Sequence, residues 1–281
     1  MAPADPARAR NPARRSVLLA IGVLVALILV PFLFWRGNWF GRPLTDRQID
    51  QYLHDETRPR HIQHALAQIS QRLGRGDSTA SRWYPRIAAL AGHKIPELRV
   101  TAAWLMGQDH RSDQFHRTLS GLLEDPEPLV RRNAALSLAR FGDPAGRAEL
   151  RAMLRPLVVR APGGGALRYR LKAEDRVDQG SLIARLERPA GEPVDLRSPL
   201  PGRFQSLIAA EGATVRQGQE ILLLEPSADH VWEALRALLL VGTDEDLEDV
   251  SNFTRPRAGW RSEIAEQASR TAGTIRSRAG R

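Results

Sequence analysis

The chain has 281 residues, a formal charge of +9 at pH 7, 42% hydrophobic residues and no cysteine. This apolar content supports a packed core, and the lack of cysteine excludes disulfides, thiolate-held metal centres and cysteine nucleophiles. Lysine occurs only at Lys94 and Lys172, and acidic residues are interspersed among the many arginines. We therefore expect no nucleic-acid-binding surface.

An uncharged apolar run follows a short basic tail at residues 1–15. Residues 16–35, SVLLAIGVLVALILVPFLFW, would span roughly 30 Å as a helix, the thickness of a hydrocarbon core. A cleaved signal peptide is the alternative, but its apolar part is only ~7–15 residues long and ends in a small-residue cleavage site. The sequence therefore predicts a single transmembrane helix that binds the lipid bilayer, followed by a linker over 36–44.

Basic residues are slightly denser before this run than after it. The arginines on the N-terminal side are Arg8, Arg10, Arg14 and Arg15, and those on the other side are Arg36, Arg42 and Arg47. The positive-inside rule then places the N-terminus in the cytoplasm and the later domains in the periplasm. The predicted location is the inner membrane of a bacterium.

Helical periodicity begins after the linker. Thr45 and Gln48 have the spacing of a capping box. Further on, the segments LRVTAAWLMGQDHRSDQFHRTLSGLL and VRRNAALSLARFGDPAGRAELRAML come into register when Gly107 is aligned with Gly142. Each glycine follows an Ala-rich helix, so we expect a C-cap with positive φ at both.

The segments DPEPLVRRNAALSLARFGD and HKIPELRVTAAWLMGQD resemble HEAT repeats, which are α-solenoid units of paired antiparallel helices. The resemblance implies a stacked helical array over residues 45–155, because one such repeat cannot bury its apolar face alone. Asp125, followed by Arg131 and Arg132, is expected to tie its turn to the neighbouring repeat instead of binding a ligand.

The helical pattern returns near the C-terminus. The segment ALRALLLVGTDEDLEDVSNF places Gly242 like Gly142, with acidic residues in the first turns of the next helix. A C-terminal helical repeat is therefore expected over 227–278, followed by a tail at 279–281.

Between the helical segments, the sequence of one small β unit is repeated. Residues APGGGALRYRLKAEDRVDQGSLIARL align with SPLPGRFQSLIAAEGATVRQGQEILLLEP, so that Gly165 falls on Gly202 and, after one inserted residue, Gly180 falls on Gly218. The glycines supply turn conformations that other residues avoid. Two such halves, related by a pseudo-twofold axis, can form a flattened barrel with one common core.

These phrases resemble the biotinyl/lipoyl domain family over residues 157–226. In carrier members of that family, the hairpin between the halves displays a lysine that accepts biotin or lipoate. Here the hairpin reads ERPAGEPVDL, the corresponding position falls near Gly191, and no lysine is present in it. We therefore expect no covalent biotin or lipoate and no other cofactor.

Unmodified relatives of this family occur in membrane fusion proteins, the periplasmic adaptors of efflux and secretion systems, which also have an N-terminal anchor. The chain lacks their long coiled-coil hairpin and their following β-barrel domain. The resemblance therefore supports the predicted fold and topology more strongly than it supports a function in transport.

Two histidine-containing groups have residue types that bind zinc. Neither shows a convincing ligand pattern, and Pro59 interrupts the first. Solvated or structural roles are expected for both groups, which are His54, Asp55, His61 and His64, and then His110, Asp113 and His116. No phosphate-binding loop or nucleophile elbow occurs, so neither a metal site nor enzyme activity is expected.

The sequence thus predicts a multidomain α + β protein. It has a single transmembrane helix, a HEAT-like α-solenoid, an inserted lipoyl-like flattened β-barrel and a C-terminal helical repeat. The expected function is that of a non-enzymatic scaffold or adaptor that binds protein partners within a membrane complex. The alternative is a membrane-fusion-like accessory of an efflux or secretion transporter.

Overall fold

The computed structural model describes residues 43–172, 175–189 and 191–280. The chain divides into two units between Ile49 and Asp50. In the first unit, Thr45 and Gln48 form the capping box: the Thr45 backbone N–H donates to Gln48 Oε1 (3.0 Å), and the Gln48 N–H donates to Thr45 Oγ1 (3.3 Å). This boundary falls within the first helix described below, and the remaining features belong to the second unit.

Ten α-helices lie in the described part of the chain, seven before a β region and three after it. The first seven are α1 (Asp46–Leu53), α2 (Pro59–Gly74), α3 (Tyr84–Ala89), α4 (Pro96–Met106), α5 (Asp113–Leu122), α6 (Pro128–Arg140) and α7 (Arg147–Ala152). The last three are α8 (Ala228–Val241), α9 (Leu247–Ser251) and α10 (Ser262–Ala279). Short 3₁₀ turns connect some of them, at Ser78–Trp83, Leu90–Gly92, Pro144–Gly146 and Asp244–Asp246.

Local sequence explains where several of these helices begin. Helices α2, α4 and α6 start with proline, whose fixed φ suits the first helical position and whose missing N–H would be unpaired there. Ser112 caps α5 by accepting the Phe115 N–H (3.3 Å), and Ser227 caps α8 by accepting the His230 N–H (3.3 Å).

The helices form two layers. Helices α2, α4, α6, α8 and α10 pack side by side in that order, and we call them the long-helix layer. The shorter α3, α5 and α7 pack against this layer as a second row. Because α6 packs directly on α8, the layer continues past the β region that separates these two helices in sequence.

Side-chain hydroxyl groups link neighbouring helices of the long-helix layer by hydrogen bonds. Ser137 Oγ on α6 donates to the Ala103 carbonyl of α4 at 2.8 Å, and Thr271 Oγ1 on α10 donates to the Leu235 carbonyl of α8 at 2.9 Å. Both hydroxyls are buried. The equivalent bonds indicate that the two helix pairs stack in the same way on either side of the insertion.

The β region holds eight strands: β1 (Leu157–Arg160), β2 (Gly165–Tyr169), β3 (Arg176–Val177), β4 (Leu182–Glu187), β5 (Val194–Arg197), β6 (Gly202–Leu207), β7 (Thr214–Val215) and β8 (Glu220–Pro226). They form two antiparallel four-stranded sheets, in the orders β1-β8-β6-β3 and β5-β4-β2-β7. Apolar side chains from both sheets share one core, including Leu167, Ile183, Val215 and Ile221.

The duplicated sequence corresponds to duplicated structure. Exchanging strands β1–β4 with β5–β8 converts one sheet order into the other. Gly165 and Gly202 occupy matching places, since a Cβ on either would lie 2.7 Å or 2.6 Å from the carbonyl oxygen of Glu187 or Glu225. Close backbone approach therefore requires glycine at both positions.

The predicted transmembrane helix, residues 16–35, lies outside the described residues. Within the described ranges, no helix is both long and apolar enough to cross a membrane. The longest, α10, has 18 residues but carries charges that include Glu266 and Arg270, and the more apolar α8 has only 14 residues, fewer than the ~20 that a bilayer requires.

This finding corrects two predictions. The fold class that included a single transmembrane helix is replaced by a mixed fold of helices and a curled sheet domain. The predicted location, a single-pass protein of the bacterial inner membrane with periplasmic domains, is likewise not supported and is wrong on this evidence.

Candidate functional site

One face of the long-helix layer carries a continuous groove. At one end, a 450 Å³ cavity lies among the C-terminal ends of α2, α4, α6 and α8, and its lining includes Leu73, Gly107, Gln108, His110, Arg140 and Leu240. Beside it, a 270 Å³ cavity lies between α6, α8 and α10, and its lining includes Leu136, Arg140, Arg236, Leu240, Gln267 and Arg270. Because Arg140 and Leu240 line both cavities, we treat them as one feature, the groove.

Two large apolar side chains are exposed on the long-helix layer. Leu240, which lines both cavities, is 53% exposed. Trp104 on α4, one turn before the lining residues Gly107 and Gln108 in sequence, is 44% exposed and does not itself line either cavity. A large exposed apolar side chain is more informative than a buried one, because it keeps its hydrophobic surface in water until a partner covers it. These two residues are therefore candidate anchors for a binding partner.

Arginines surround these apolar anchors. Arg140 and Arg278 have structural roles, since Arg140 donates to the Gly107 carbonyl (3.5 Å) and Arg278 donates to the Gly242 carbonyl (3.2 Å), in each case at the end of the preceding helix of the layer. Arg236 makes a loose ion pair with Glu233 at 3.6 Å. Among the described residues, none pairs with the guanidinium of Arg270, which remains available to a ligand.

The predicted pairing of Asp125 is made with a different arginine. Both carboxylate oxygens of Asp125 accept hydrogen bonds from Arg99 on α4, at 2.7 and 2.8 Å. Burial is the largest single influence on the pKa of Asp125 and raises it. The hydrogen bonds from Arg99 and the Glu127 N–H, together with the charges of Arg99 and Arg131, outweigh burial, so this pKa lies below its usual value. Arg131 instead donates to the backbone carbonyl of Asp125 (2.8 Å) and to Glu149 (2.6 Å).

Arg99 could have been found from the sequence. Its Nη1 donates to the carbonyl of His93, six residues earlier, as Arg131 Nη1 does to the carbonyl of Asp125. The two arginines thus hold equivalent positions in successive repeats. Each donates one hydrogen bond to a backbone carbonyl of the turn before its own helix and another to a carboxylate that follows its helix in sequence.

The glycines that align in the helical repeats differ in conformation. Gly142 has φ +77°, the left-handed conformation expected at a C-cap. Gly107 and Gly242 have φ −70° and −68°, so another reason must explain glycine there. A Cβ on Gly107 would lie 2.3 Å from Ser137 Oγ of α6. A Cβ on Gly242 would lie 2.5 Å from the Leu238 carbonyl oxygen of α8 and 2.8 Å from Ile275 Cδ1 of α10. Close helix packing explains glycine at Gly107, and at Gly242 the preceding turn of α8 excludes a side chain as well.

In the sheet domain, Gly180 and Gly218 occupy matching turns with φ +79° and +80°. Gly191 lies in the hairpin between β4 and β5, where its φ is +100° and its surroundings are open. This is the position at which the sequence resemblance led us to look for a carrier lysine.

The histidine groups are engaged in ordinary contacts. His61 Nδ1 lies 2.8 Å from Asp55 Oδ2 and its ring stacks on Tyr52, while His116 Nε2 lies 2.7 Å from Asp143 Oδ2. A hydrogen bond from Thr57 is the largest cause that lowers the pKa of Asp55 to about 2. Among the described residues, no three acidic or histidine side chains are grouped as metal ligands would be.

A buried arginine that was not predicted from the sequence lies at the junction of helices and sheet. Arg132 on α6 is 6% exposed, its Nη1 lies 3.1 Å from His230 Nδ1 on α8, and its Nε has no partner. Burial lowers the pKa of Arg132 to about 10. Burial, and then the charge of Arg132, lower the pKa of His230 to about 4.

These shifts predict a pH-dependent stability. His230 has a folded-state pKa of about 4 against a reference value of 6.5, so the unfolded chain binds the extra proton between these values. The free energy of unfolding should therefore fall as pH is lowered through this window, by about 1–2 kcal/mol from His230 between pH 7 and pH 5. Urea unfolding at the two pH values measures the loss.

His230→Asn is the matched variant, because an amide oxygen can accept from Arg132 without titrating. The variant should lose less stability between pH 7 and pH 5 than the parent chain. An equal loss in both proteins would show that His230 is not the titrating group.

Comparison with known proteins identifies part of the helical region. Residues 85–167 match the family model of HEAT repeats. No curated protein matches the chain. Among solved structures, it is similar to one described as a single-chain, multi-domain long-chain acyl-CoA carboxylase, with 18% identity and a TM-score of 0.24, over 52% of this chain and 16% of that one. The chain thus spans less than a fifth of that protein, and so low a TM-score supports no conclusion. What is established is a protein with HEAT repeats in a solenoid-like helical region, joined to a curled sheet domain.

Proposed function

We propose that the protein is a non-enzymatic scaffold whose groove binds an acidic segment of a partner protein that also carries apolar side chains. The observation that carries the proposal is the exposure of Leu240 within a groove lined by Arg236 and Arg270. Trp104 on α4, one turn before the groove residue Gly107 in sequence, is exposed as well. HEAT repeats generally mediate protein–protein interaction, and this groove runs across five stacked helices as a solenoid binding surface does.

The chemistry of the groove favours such a segment. Removing exposed apolar side chains from water favours binding. At typical interfaces a few anchors, enriched in tryptophan, tyrosine and arginine, carry most of the binding free energy. Charged groups around such anchors supply specificity and faster association. Glu233 is the acidic side chain of the groove, and it is already close to Arg236, so carboxylates are the complementary groups.

The proposal assigns no catalytic step. Among the described residues, those lining the groove include no serine, threonine, cysteine or lysine that could act as a nucleophile. The acid–base side chains of its lining, His110 and Glu233, belong to different cavities of the groove. We also infer that the sheet domain is an unmodified lipoyl-like module, supported by its pseudo-twofold strand order and by the absence of lysine from the hairpin at Gly191.

The membrane complex and the bilayer, expected from the sequence as partners, are not part of this proposal, because both rested on the transmembrane helix. Nothing favours the transporter accessory over the scaffold.

Selection from a random peptide library tests the proposal. We expect the selected peptides to combine carboxylates with aromatic or aliphatic residues, and Leu240→Ser to raise their Kd at least about tenfold. Arg270→Gln should weaken binding less and reduce its dependence on salt. Fluorescence anisotropy with a selected peptide measures both.

Leu207→Ser is the matched control, since Leu207 is 47% exposed on β6 of the sheet domain and does not line the groove. It should leave the Kd unchanged. Selected peptides without acidic residues, or equal Kd values for the Leu240 and Leu207 variants, would contradict the proposal.

A further inference from the structure

A separate cavity of 440 Å³ lies where the sheet domain meets the helices. Its walls come from β3, β6, the first turn of α8 and the segment before α10, and include Arg176, Arg203, Ser227, His230, Trp260 and Arg261. It has no lining residue in common with the groove. Its volume lies within the ~300–1,000 Å³ range of small-molecule sites.

Two arginines face each other in this cavity. Arg176 on β3 and Arg203 on β6 are directly opposite in the antiparallel register. Like charges in that arrangement destabilise a strand pair. Among the residues described, neither guanidinium has a hydrogen bond or an ion pair. A bound anion would neutralise both.

The acids of the cavity do not supply that neutralisation. Glu225 accepts from Arg257 at 3.1 Å, and Asp229 accepts from Arg261 at 2.8 Å. Asp178 is the remaining acid of the lining. The cavity therefore holds two unpaired guanidinium groups and one unpaired carboxylate, that of Asp178. Its net local charge is positive.

Arg132 adds a third cation behind the cavity wall. It contacts His230, which lines the cavity, and the partnerless Nε of Arg132 is buried. The equivalent positions in the neighbouring helices are Val100 on α4 and Trp232 on α8, both apolar. An arginine thus replaces an apolar residue at the repeat beside the cavity. The charge of Glu149 acts on Arg132, but burial outweighs it and the pKa of Arg132 is lowered, so a further anion nearby would stabilise this guanidinium.

We propose that this cavity binds a small molecule through a phosphate group held between Arg176 and Arg203. Guanidinium groups present paired N–H donors that match the oxygens of a phosphate. The first turn of α8 adds the positive end of its dipole. The remaining volume accommodates the body of a phosphate ester.

Inorganic phosphate is the probe for this site. Isothermal titration of the full chain should show saturable binding, and the Arg176→Gln/Arg203→Gln double variant should raise the Kd at least about tenfold. Arg216→Gln is the control, because Arg216 is exposed on the sheet domain outside the cavity. It should bind phosphate as the parent chain does.

Thermal unfolding supplies an independent measurement. Phosphate stabilises many proteins by exclusion from their surface, an effect common to all variants, so only the difference between parent and variant counts. The Tm should rise more in phosphate than in chloride of equal ionic strength for the parent and for Arg216→Gln. The double variant should lose this excess, and in chloride it should be at least as stable as the parent.

Equal phosphate affinity in the parent and the double variant would overturn the proposal. Sedimentation with phosphatidic acid vesicles distinguishes a lipid headgroup from a soluble phosphate: arginine-dependent binding to vesicles without binding of inorganic phosphate would also overturn it. Loss of phosphate binding leaves peptide binding in the groove untouched, so this proposal and the proposed function fail separately.

Discussion

Asp246→Ala should lower the free energy of unfolding by about 4 kcal/mol, because it breaks the ion pair of a buried carboxylate with Arg147 and deprives two N–H groups of that acceptor. Asp246 is fully buried. Its Oδ2 accepts the Thr243 backbone N–H at 2.8 Å and Arg147 Nε at 3.0 Å. An alanine would offer neither group a replacement.

The same ion pair joins parts of the helical region that the sheet domain separates. Arg147 lies on α7, before the sheets, and Asp246 lies after them. Arg151 and Arg155, which also precede the sheets, donate to Asp249 at 3.0 and 2.7 Å. These contacts hold the two ends of the insertion together, so the effect of the substitution should extend to the whole helical region.

Urea unfolding of the parent chain and the variant measures the effect. Four kcal/mol corresponds to a fall in Tm of roughly 8–16 °C for a unit of this size. Asp244→Ala is the matched control, since Asp244 is an exposed acid of the same 3₁₀ turn. Its effect should stay within about 0.5 kcal/mol. Similar losses in both variants would show that the buried ion pair does not hold the insertion.

Features that depend on nearby residues could be predicted from the sequence. The aligned glycines Gly180 and Gly218 indicated a repeated β unit, and the structure has two matching halves with these residues in equivalent turns. The proline turns and Ala-rich helices indicated HEAT repeats, which the family comparison supports. A turn conformation or the start of a helix depends on a few neighbouring residues, so a short segment of sequence is enough to predict it.

Contacts between distant segments could not be predicted in the same way. Arg132 meets His230 only because α6 packs on α8 across the insertion, and many other arginines could have served in that pair. The groove could not be predicted for the same reason: it forms where the ends of several helices, distant in sequence, come together.

Gly107 shows how a correct alignment can suggest the wrong physical reason. The sequence favoured a left-handed C-cap, yet the backbone there is ordinary, with φ −70°. What excludes a side chain is the approach of α6, where a Cβ would lie 2.3 Å from Ser137 Oγ and 2.6 Å from Ser137 Cβ. Gly107→Ala should therefore lower the free energy of unfolding by about 3 kcal/mol, the upper part of the range for overpacking.

Gly121→Ala is the control, because no atom lies within 4 Å of a Cβ built at Gly121 on helix α5. There the substitution should be neutral or stabilise the protein by up to about 1 kcal/mol, since alanine has the higher helix propensity. Chemical unfolding should thus show that the free energy of unfolding falls in the Gly107 variant and is unchanged or rises in the Gly121 variant. A loss at Gly121 equal to that at Gly107 would mean that the helix contact is not the cause.

A double-mutant cycle locates the conflict at Ser137. In a Ser137→Gly background, the Oγ and Cβ atoms that would clash are gone, so Gly107→Ala should cost about 2 kcal/mol less than in the parent chain. Ser137→Gly alone also removes the hydrogen bond to the Ala103 carbonyl, and the cycle subtracts that loss. Coupling near zero would contradict the close α4–α6 contact on which the stacking of the long-helix layer depends.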